Sequence, residues 1–135
     1  MLPPLNILLI EDSPAIRESF AQRIEASSNL VVCDWADTSD EAIRLLDQGN
    51  IDAVIVDLNL RHGTGMLVLQ HLQHLGSPKN VLRIVLTTHA TSAFRRMCAR
   101  LGSEYFLDKS FEFDRAIEIL ESHAKQRHPV SSDGS

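Results

Sequence analysis

The sequence is poor in cysteine and has no run of basic residues, and each shortage argues against a class of protein. Its two cysteines, Cys33 and Cys98, lie too far apart for a metal-binding or redox motif. Both stand in apolar stretches, so we predict two buried thiols in a reducing compartment rather than a disulfide scaffold. The net charge is −5, and without a basic patch the chain is not expected to bind nucleic acid directly.

Long hydrophobic runs are missing as well. No apolar stretch approaches the roughly 20 residues of a membrane-spanning helix, and the first five residues lack the charged and apolar regions of a secretory signal. We therefore expect a cytoplasmic protein without a membrane partner. The 135 residues suit a single core, and we predict one domain over residues 1–128 and a flexible tail over 129–135.

Apolar runs of strand length alternate with segments of helical period five times along the chain. The predicted strands are Leu5–Ile10, Leu30–Trp35, Ile51–Val56, Val81–Leu86 and Tyr105–Leu107. The predicted helix caps are Ser13, Thr38, Thr64 and Ser110, and residues 76–78 predict a helix stop. This alternation favours an α/β fold with a five-stranded parallel sheet, doubly wound by five helices. The flavodoxin-like strand order 2-1-3-4-5 is a common solution.

Hydrophobic periodicity also predicts which side chains face the core. Trp35 ends the second strand and is expected to be buried. The predicted inward-facing residues of the first and fourth helices are Ile16, Phe20, Ile24, Phe94, Met97, Cys98 and Leu101.

Polar residues stand where four of the predicted strands end. In chain order they are Glu11, Asp12, Asp57, Thr87, Thr88, Asp108 and Lys109. In a doubly wound sheet the ligand site lies beyond the carboxyl ends of the strands, where the strand order reverses. Neighbouring strands are about 4.8 Å apart, so we expect three carboxylates, a hydroxyl and an ammonium to converge on one shallow cleft.

This combination of groups indicates a particular chemistry. Three neighbouring carboxylates repel one another unless a cation neutralises them, and Mg²⁺ prefers a few carboxylates together with phosphate oxygens. A carboxylate beside Mg²⁺ and a lysine is suited to act as a nucleophile in phosphoryl transfer. We therefore expect Asp57 to react, Lys109 to balance the charge, and Thr87 to bind a phosphoryl oxygen.

Four segments carry a family resemblance. They are Leu8–Pro14, Val54–Leu60 followed by Gly65, Ile84–Thr87 and Phe106–Lys109. In this order and at these strand ends they resemble the signatures of response-regulator receiver domains, the CheY-like superfamily of two-component signalling. The resemblance extends from about residue 5 to 125. It implies a phosphorelay switch in signal transduction rather than an enzyme, although such a domain can assist its own phosphorylation and dephosphorylation.

The resemblance also implies a role for each site residue. Asp57 is the expected phospho-acceptor, and Lys109 is expected to bind the phosphoryl group. Asp12 and Asp57 are expected to bind Mg²⁺ directly, together with the backbone carbonyl of Asn59, whereas Glu11 acts through water.

The same resemblance assigns the conformational switch, and the rate of phosphoaspartate hydrolysis, to further residues. Thr87 is expected to move toward the phosphoryl group, coupled to Phe106, and so to reshape the surface of the fourth helix, fifth strand and fifth helix. Asn59 and His89 are expected to tune hydrolysis of the phosphoaspartate. Thr88 joins them because it adds bulk near Asp57, where the family usually has a small residue.

Two other positions depart from the usual family pattern. Ser110 follows the lysine in place of a proline that carries a cis bond, and a cis bond before serine costs about 3 kcal/mol. The loop over residues 60–63 also lacks the family's proline. Neither change removes a reacting group.

The implied partners are a histidine kinase or phosphotransfer protein, and a downstream protein or a fused output domain. A homodimer through the fourth helix, fifth strand and fifth helix is a further expectation.

An aspartyl-nucleophile phosphatase of the haloacid-dehalogenase type is the main alternative function, although Asn59 stands where it would need a second acid. A flavodoxin would need a hydroxyl-rich loop in place of Glu11 and Asp12. A degenerate receiver that only binds a partner would not need the complete site.

The remaining polar and apolar candidates have simpler interpretations. His71 and His74 have a helical spacing that could hold a metal, but without a third ligand a solvated face is favoured. His62 is expected to be a surface residue. Apolar side chains near the switching face could mark a partner surface; they are Tyr105, Phe111 and Ile119.

Overall fold

The structure is a computed structural model that describes residues 3–75 and 80–126. Its strands are β1 (Leu5–Ile10), β2 (Leu30–Ala36), β3 (Ala53–Val56), β4 (Leu82–Thr87) and β5 (Tyr105–Asp108). Its helices are α1 (Pro14–Glu25), α2 (Ser39–Asp47), α3 (Gly65–Leu75), α4 (Ser92–Arg100) and α5 (Phe113–Gln126). The predicted tail over 129–135 and the predicted helix stop over 76–78 lie outside the described residues.

The strands form one parallel sheet in the order β2-β1-β3-β4-β5, which confirms the predicted fold class. The four residues of β3 are all buried, because this strand lies at the centre of the sheet with helices on both faces. Ile10 pairs with Val56, and Val56 pairs with Val85. β1 and β3 therefore end level with each other, and β4 continues two residues beyond Val85 to Thr87. The residues that follow these strands share one edge of the sheet.

Side chains that alternate along each strand feed two hydrophobic cores. Leu8 and Ile10 pack on the face covered by α2, α3 and α4, whereas Leu5, Ile7 and Leu9 pack on the face covered by α1 and α5. Burying one such side chain contributes about 1.5–3 kcal/mol, so the two cores fix the sheet from both sides. No helix in the described ranges has the length and apolar composition needed to cross a bilayer.

Helix starts follow the predicted caps in three cases. The hydroxyls of Ser13, Thr38 and Thr64 accept backbone N–H groups of the helices that follow them. The prediction that Ser110 caps the last helix is wrong, since α5 begins at Phe113.

A turn held by acidic side chains replaces that cap. The Ser110 N–H donates to the Asp108 carboxylate at 2.8 Å, and the Asp108 N–H donates to the Glu112 carboxylate at 2.8 Å. These bonds hold residues 108–112 outside the helix. Every peptide bond in the described part of the chain is trans, including the one between Lys109 and Ser110.

Four residues predicted to be buried are exposed instead. Cys33 is the extra residue of a β-bulge between β1 and β2, whereas Cys98 is buried as predicted. Trp35 is 45% exposed, because β2 is an edge strand and the guanidinium of Arg17 covers only one face of the ring. The other two lie at the margins of their helical stripes, and they are Ile16 and Met97.

Candidate functional site

The carboxyl edge of the sheet brings the predicted polar residues together. The backbone N–H of Asp57 donates to the carbonyl of Ile10 at 3.1 Å, and that of Lys109 donates to the carbonyl of Thr87 at 2.9 Å. These bonds continue the sheet ladder beyond the last paired residues. Each side chain is thus held by a backbone position in the sheet rather than by a flexible loop.

Lys109 contacts two of the carboxylates in the site. Its Nζ donates to Oδ2 of Asp57 at 2.8 Å and lies 2.5 Å from Oε1 of Glu11. The side chains of Lys109, Asp57 and Glu11 are 11%, 7% and 3% exposed. One ammonium therefore contacts two carboxylates that are almost removed from water, and charge-assisted hydrogen bonds of this kind are the strong ones.

Three carboxylates form an acidic cluster beside this lysine. One oxygen each from Glu11, Asp12 and Asp57 lie within 4.8 Å of one another. Asp12 is partly exposed, whereas the other two are buried. The cluster opens toward solvent on the side of Asp12, so a cation could enter there and bind hard oxygen ligands.

Burial and pairing shift the titration of two groups. Burial raises the pKa of the Glu11 carboxyl above its ordinary value, and the hydrogen bonds from Lys109 and Ser13 offset only part of that effect. Burial alone would lower the pKa of Lys109, but its hydrogen bonds to Asp57 and Glu11 hold that pKa above its ordinary value. The Lys109 side chain is therefore a cation throughout the physiological range.

The three residues predicted to tune the rate of phosphoaspartate hydrolysis lie together at the rim of the site. The Asn59 side-chain amide lies 2.7 Å from Nδ1 of His89, and the Thr88 hydroxyl lies 3.2 Å from the same nitrogen. All three are exposed. The Asn59 N–H also donates to Oδ1 of Asp57 at 3.1 Å, so the loop after β3 is connected both to the acceptor position and to the loop after β4.

Thr87 and Phe106 lie on one face of the sheet, beneath α4. Thr87 is fully buried, and its hydroxyl accepts the His89 N–H at 3.1 Å. Phe106 is 8% exposed and pairs with Val85, two residues before Thr87. Because alternate residues of a strand face the same side, these two side chains are neighbours on that face.

Two glycines allow the loop after β3 to pack closely. A Cβ on Gly65 would lie 2.5 Å from the backbone oxygen of Asp57 and 2.5 Å from Cγ1 of Val56. Gly63 has φ +84°, and a Cβ there would meet the side chain of Ser39. The start of α3 therefore rests directly on the backbone of Asp57.

Sequence reasoning missed the anchor of this loop. The Ser39 N–H donates to the carbonyl of His62 at 3.2 Å, and Arg61 forms a 2.7 Å ion pair with Asp37. The buried position of Ser39 gives no signal in the sequence, because a serine in the first turn of a helix is ordinary. These contacts hold the loop that carries Asn59 against the start of α2.

The other candidates stand apart from the site. Nε2 of His71 lies 2.8 Å from Oδ1 of Asp47, and His74 is exposed. In the part of the chain that the structure describes, the acidic cluster of Glu11, Asp12 and Asp57 is the only group of three ligands close enough to hold a metal. The histidine pair does not belong to such a group in the described residues, and His62 is exposed.

Two of the three apolar candidates line a common depression. Tyr105 and Ile119 line a shallow depression beside α5, with a volume near 240 Å³. Phe111 is 86% exposed on the turn before α5 and does not line that depression.

Comparison with known proteins gives a consistent set of relatives. Residues 7–121 match the family described as the response regulator receiver domain. The chain is 29% identical over 133 residues to the response regulator Rre1 of Synechocystis, which covers 98% of this chain and 57% of that protein. It is 25% identical over 130 residues to the transcriptional regulatory protein GlrR of Escherichia coli, which covers 96% and 28% respectively.

Solved structures share the fold. The CheX–CheY–BeF₃–Mg²⁺ complex from Borrelia burgdorferi superposes with a TM-score of 0.77 at 21% identity, over 89% of each chain. This chain spans less than two thirds of the length of the curated relatives named above. The family match extends over most of the chain and includes all four strand ends that form the acidic cleft. The chain belongs to the response regulator receiver domain family of two-component signalling.

Proposed function

We propose that Asp57 accepts a phosphoryl group from a histidine kinase or a phosphotransfer protein, in a reaction that requires Mg²⁺. The observation that carries this proposal is the placement of one lysine ammonium between two buried carboxylates, next to a third carboxylate. An acceptor must be an anion that is accessible to phosphorus but shielded from general solvent. Asp57 meets that description, since it lies at the end of a buried strand in an open acidic cleft.

In the proposed transfer, a carboxylate oxygen of Asp57 attacks the phosphorus of a phosphohistidine. The new O–P bond replaces the P–N bond, and the imidazole of the donor leaves with the electron pair and takes up a proton. Lys109 would bind a phosphoryl oxygen, a role supported by the contact of its ammonium with the carboxylate that becomes modified. The Thr87 hydroxyl would bind another oxygen after release from the His89 N–H.

Magnesium is the cation that suits the site. Asp12, Asp57 and the backbone carbonyl of Asn59 would hold it directly, with Glu11 acting through water. When bound, it would neutralise charge on the transferring phosphoryl group. The donor set fits, since every candidate ligand is a hard oxygen and the cluster holds more negative charge than Lys109 can balance.

The acceptor can be tested with a small phosphodonor. Incubation with acetyl phosphate and Mg²⁺ is expected to add one phosphoryl group to the native protein, as detected by intact-protein mass spectrometry. Asp57→Asn is expected to remove the addition, because the amide nitrogen and oxygen are poor nucleophiles. Asp52→Asn is the matched control and should be modified like the native protein. The proposal is wrong if Asp57→Asn is modified at the native rate, or if the native protein is not modified at all.

Magnesium binding predicts a stability change that does not depend on phosphorylation. At a concentration a hundred times its dissociation constant, Mg²⁺ is expected to raise the free energy of unfolding by about 2.7 kcal/mol. Asp12→Asn is expected to lose most of that gain, since it removes the exposed carboxylate of the cluster. Urea denaturation with Mg²⁺ and with EDTA measures both effects, and an equal gain in Asp12→Asn would place the ion elsewhere.

The contact between Asn59 and His89 predicts a change in the lifetime of the phosphoaspartate. Their 2.7 Å contact joins the loops after β3 and β4 at the rim. His89→Ala is expected to open the rim to water and to accelerate dephosphorylation by about threefold, the rate factor that corresponds to a lost hydrogen bond of about 0.7 kcal/mol. The Asn59→Ala His89→Ala double variant should be no faster than either single variant, because residues in contact are not additive. Decay of phosphoprotein followed by mass spectrometry measures this, with His74→Ala as control; additive effects would mean that the contact has no role.

The wider role of the domain is also a proposal. We infer that it is a cytoplasmic signalling switch rather than an enzyme with a separate substrate. Its phosphorylated form would bind a downstream protein or act on a fused output domain. The surface of α4, β5 and α5 would change with Thr87 and Phe106 and could carry a homodimer contact. The chain spans 57% of Rre1 and 28% of GlrR, which leaves room for a further domain in those proteins.

The phosphatase alternative is not favoured by the geometry. A haloacid-dehalogenase-type enzyme needs a second acid two residues after the nucleophile to act as a proton donor, and here Asn59 turns its amide toward His89. A degenerate receiver that only binds a partner would not need a lysine paired with two buried acids. This alternative is therefore not favoured either.

A further inference from the structure

Arg95 makes two contacts with the same aromatic residue. This exposed arginine of α4 lies with its guanidinium carbon 4.9 Å from the centroid of the Phe106 ring. Its Nη1 also donates to the backbone carbonyl of Phe106 at 3.2 Å. One side chain thus holds both the ring and the backbone of a residue on the neighbouring strand.

The contacts of Arg95 matter because Phe106 is buried next to Thr87. Its ring is 8% exposed and belongs to the core beneath α2, α3 and α4. It lies beside Thr87 on the same face of the sheet, because its strand partner is Val85. A rotation of the ring out of the core would therefore change the environment of Thr87 and the gap between α4 and β5.

We propose that Arg95 is a positioning residue that holds the Phe106 ring in its buried orientation. The importance of that orientation for signalling rests on the proposed function, but the holding contact itself does not. The guanidinium is always charged and planar, so it can lie against the ring while one nitrogen reaches the carbonyl. Rotation of the ring toward solvent breaks the contact with the π face, which is worth a few-fold in population at an exposed site.

Substitutions at Arg95 separate the charge from the apolar stem. Arg95→Met keeps a flexible stem and removes both the charge and the donors. Arg95→Lys restores a cation that can approach the ring or the carbonyl, although it lacks the planar fork. Arg96→Met is the matched control, because Arg96 is an exposed arginine of the same helix.

The readout is the solvent exposure of the Phe106 ring in the unphosphorylated protein without Mg²⁺. Ring signals of ¹³C-labelled phenylalanine are recorded, with Phe106 assigned by their loss in Phe106→Leu. Relaxation by a soluble gadolinium chelate then reports exposure. Arg95→Met is expected to increase the exposed population about threefold, Arg95→Lys to restore part of the native value, and Arg96→Met to leave it unchanged.

Two outcomes would overturn the proposal. One is a Phe106 ring equally protected in Arg95→Met and in the native protein. The other is an equal increase of exposure in Arg96→Met, which would show a general loosening of α4. The same threefold increase is expected in the Asp57→Asn background, since neither contact of Arg95 involves the acceptor. A failure of the proposed phosphoryl transfer would therefore leave this result intact.

Discussion

Replacing Lys109 with methionine is expected to lower the free energy of unfolding by about 3 kcal/mol in EDTA at neutral pH. The two side chains have similar volumes, so the loss comes from charge rather than from packing. Without the ammonium, the buried carboxylates of Glu11 and Asp57 face each other and Asp12 with no compensating cation. Breaking a buried ion pair from one side leaves an uncompensated buried charge, which is why the expected loss is large.

Magnesium is expected to recover part of that loss. A divalent ion in the acidic cluster would replace the missing positive charge, so Mg²⁺ should stabilise Lys109→Met more than the native protein. Acetyl phosphate should nevertheless modify Asp57 far more slowly, because no side chain remains to bind the phosphoryl oxygen. Urea denaturation with and without Mg²⁺ measures the first effect and mass spectrometry the second.

The matched control for this substitution is Lys125→Met. Lys125 is exposed on α5, far along the chain from the cleft, and its loss should change stability by less than about 0.5 kcal/mol. If Lys109→Met were as stable in EDTA as Lys125→Met, the two buried ion pairs would contribute nothing to the fold.

The strand ends could be predicted from the sequence because a parallel sheet leaves little freedom. Once β3 is identified as a fully buried strand, Asp57 must stand at the carboxyl edge. The residues after the neighbouring parallel strands must then stand beside it. Glu11, Asp57 and Lys109 reach the site through backbone positions that follow directly from alternation and strand order.

The pairing of the side chains could not be predicted in the same way. The sequence places an ammonium among three acids, but it does not say that Lys109 contacts Glu11 and Asp57 together. That choice depends on side-chain rotamers and on burial, which leaves Asp12 nearer to solvent. Arg95 was missed for a similar reason, because α4 must first be packed on β5 before its arginine can reach Phe106.

Two of the four errors of burial arose at the edge of the sheet. Cys33 and Trp35 belong to an apolar run that reads as a buried strand, but β2 has a neighbour on one side only and carries a bulge. An edge strand needs fewer buried side chains than a central one with the same composition. Strand order could be predicted, but the exact pairing that places Cys33 in the bulge could not.

Replacing Gly65 with alanine is expected to lower both the stability of the domain and the reactivity of Asp57. Alanine is the better helix former by about 1 kcal/mol in a helix interior. Gly65 is the first residue of α3, so propensity alone would predict a slightly more stable helix. Sterics oppose this, because the added Cβ would lie 2.5 Å from the backbone oxygen of Asp57 and from Cγ1 of Val56. Neither neighbour is the end of a flexible side chain, so α3 or the acceptor must move, at a net cost of about 2 kcal/mol.

Gly49→Ala is the matched control, because it replaces a glycine without creating the steric clash expected at Gly65. Gly49 has φ +88° and no atom within 4 Å of an added Cβ, so alanine there costs about 1 kcal/mol of backbone strain without a clash. Gly49→Ala should therefore unfold more easily than the native protein but react with acetyl phosphate at the native rate. Gly65→Ala should lose both properties, since the added Cβ clashes with the backbone carbonyl of Asp57 itself. If its phosphorylation rate equals that of Gly49→Ala at matched folded concentration, the approach of α3 has no part in positioning the acceptor.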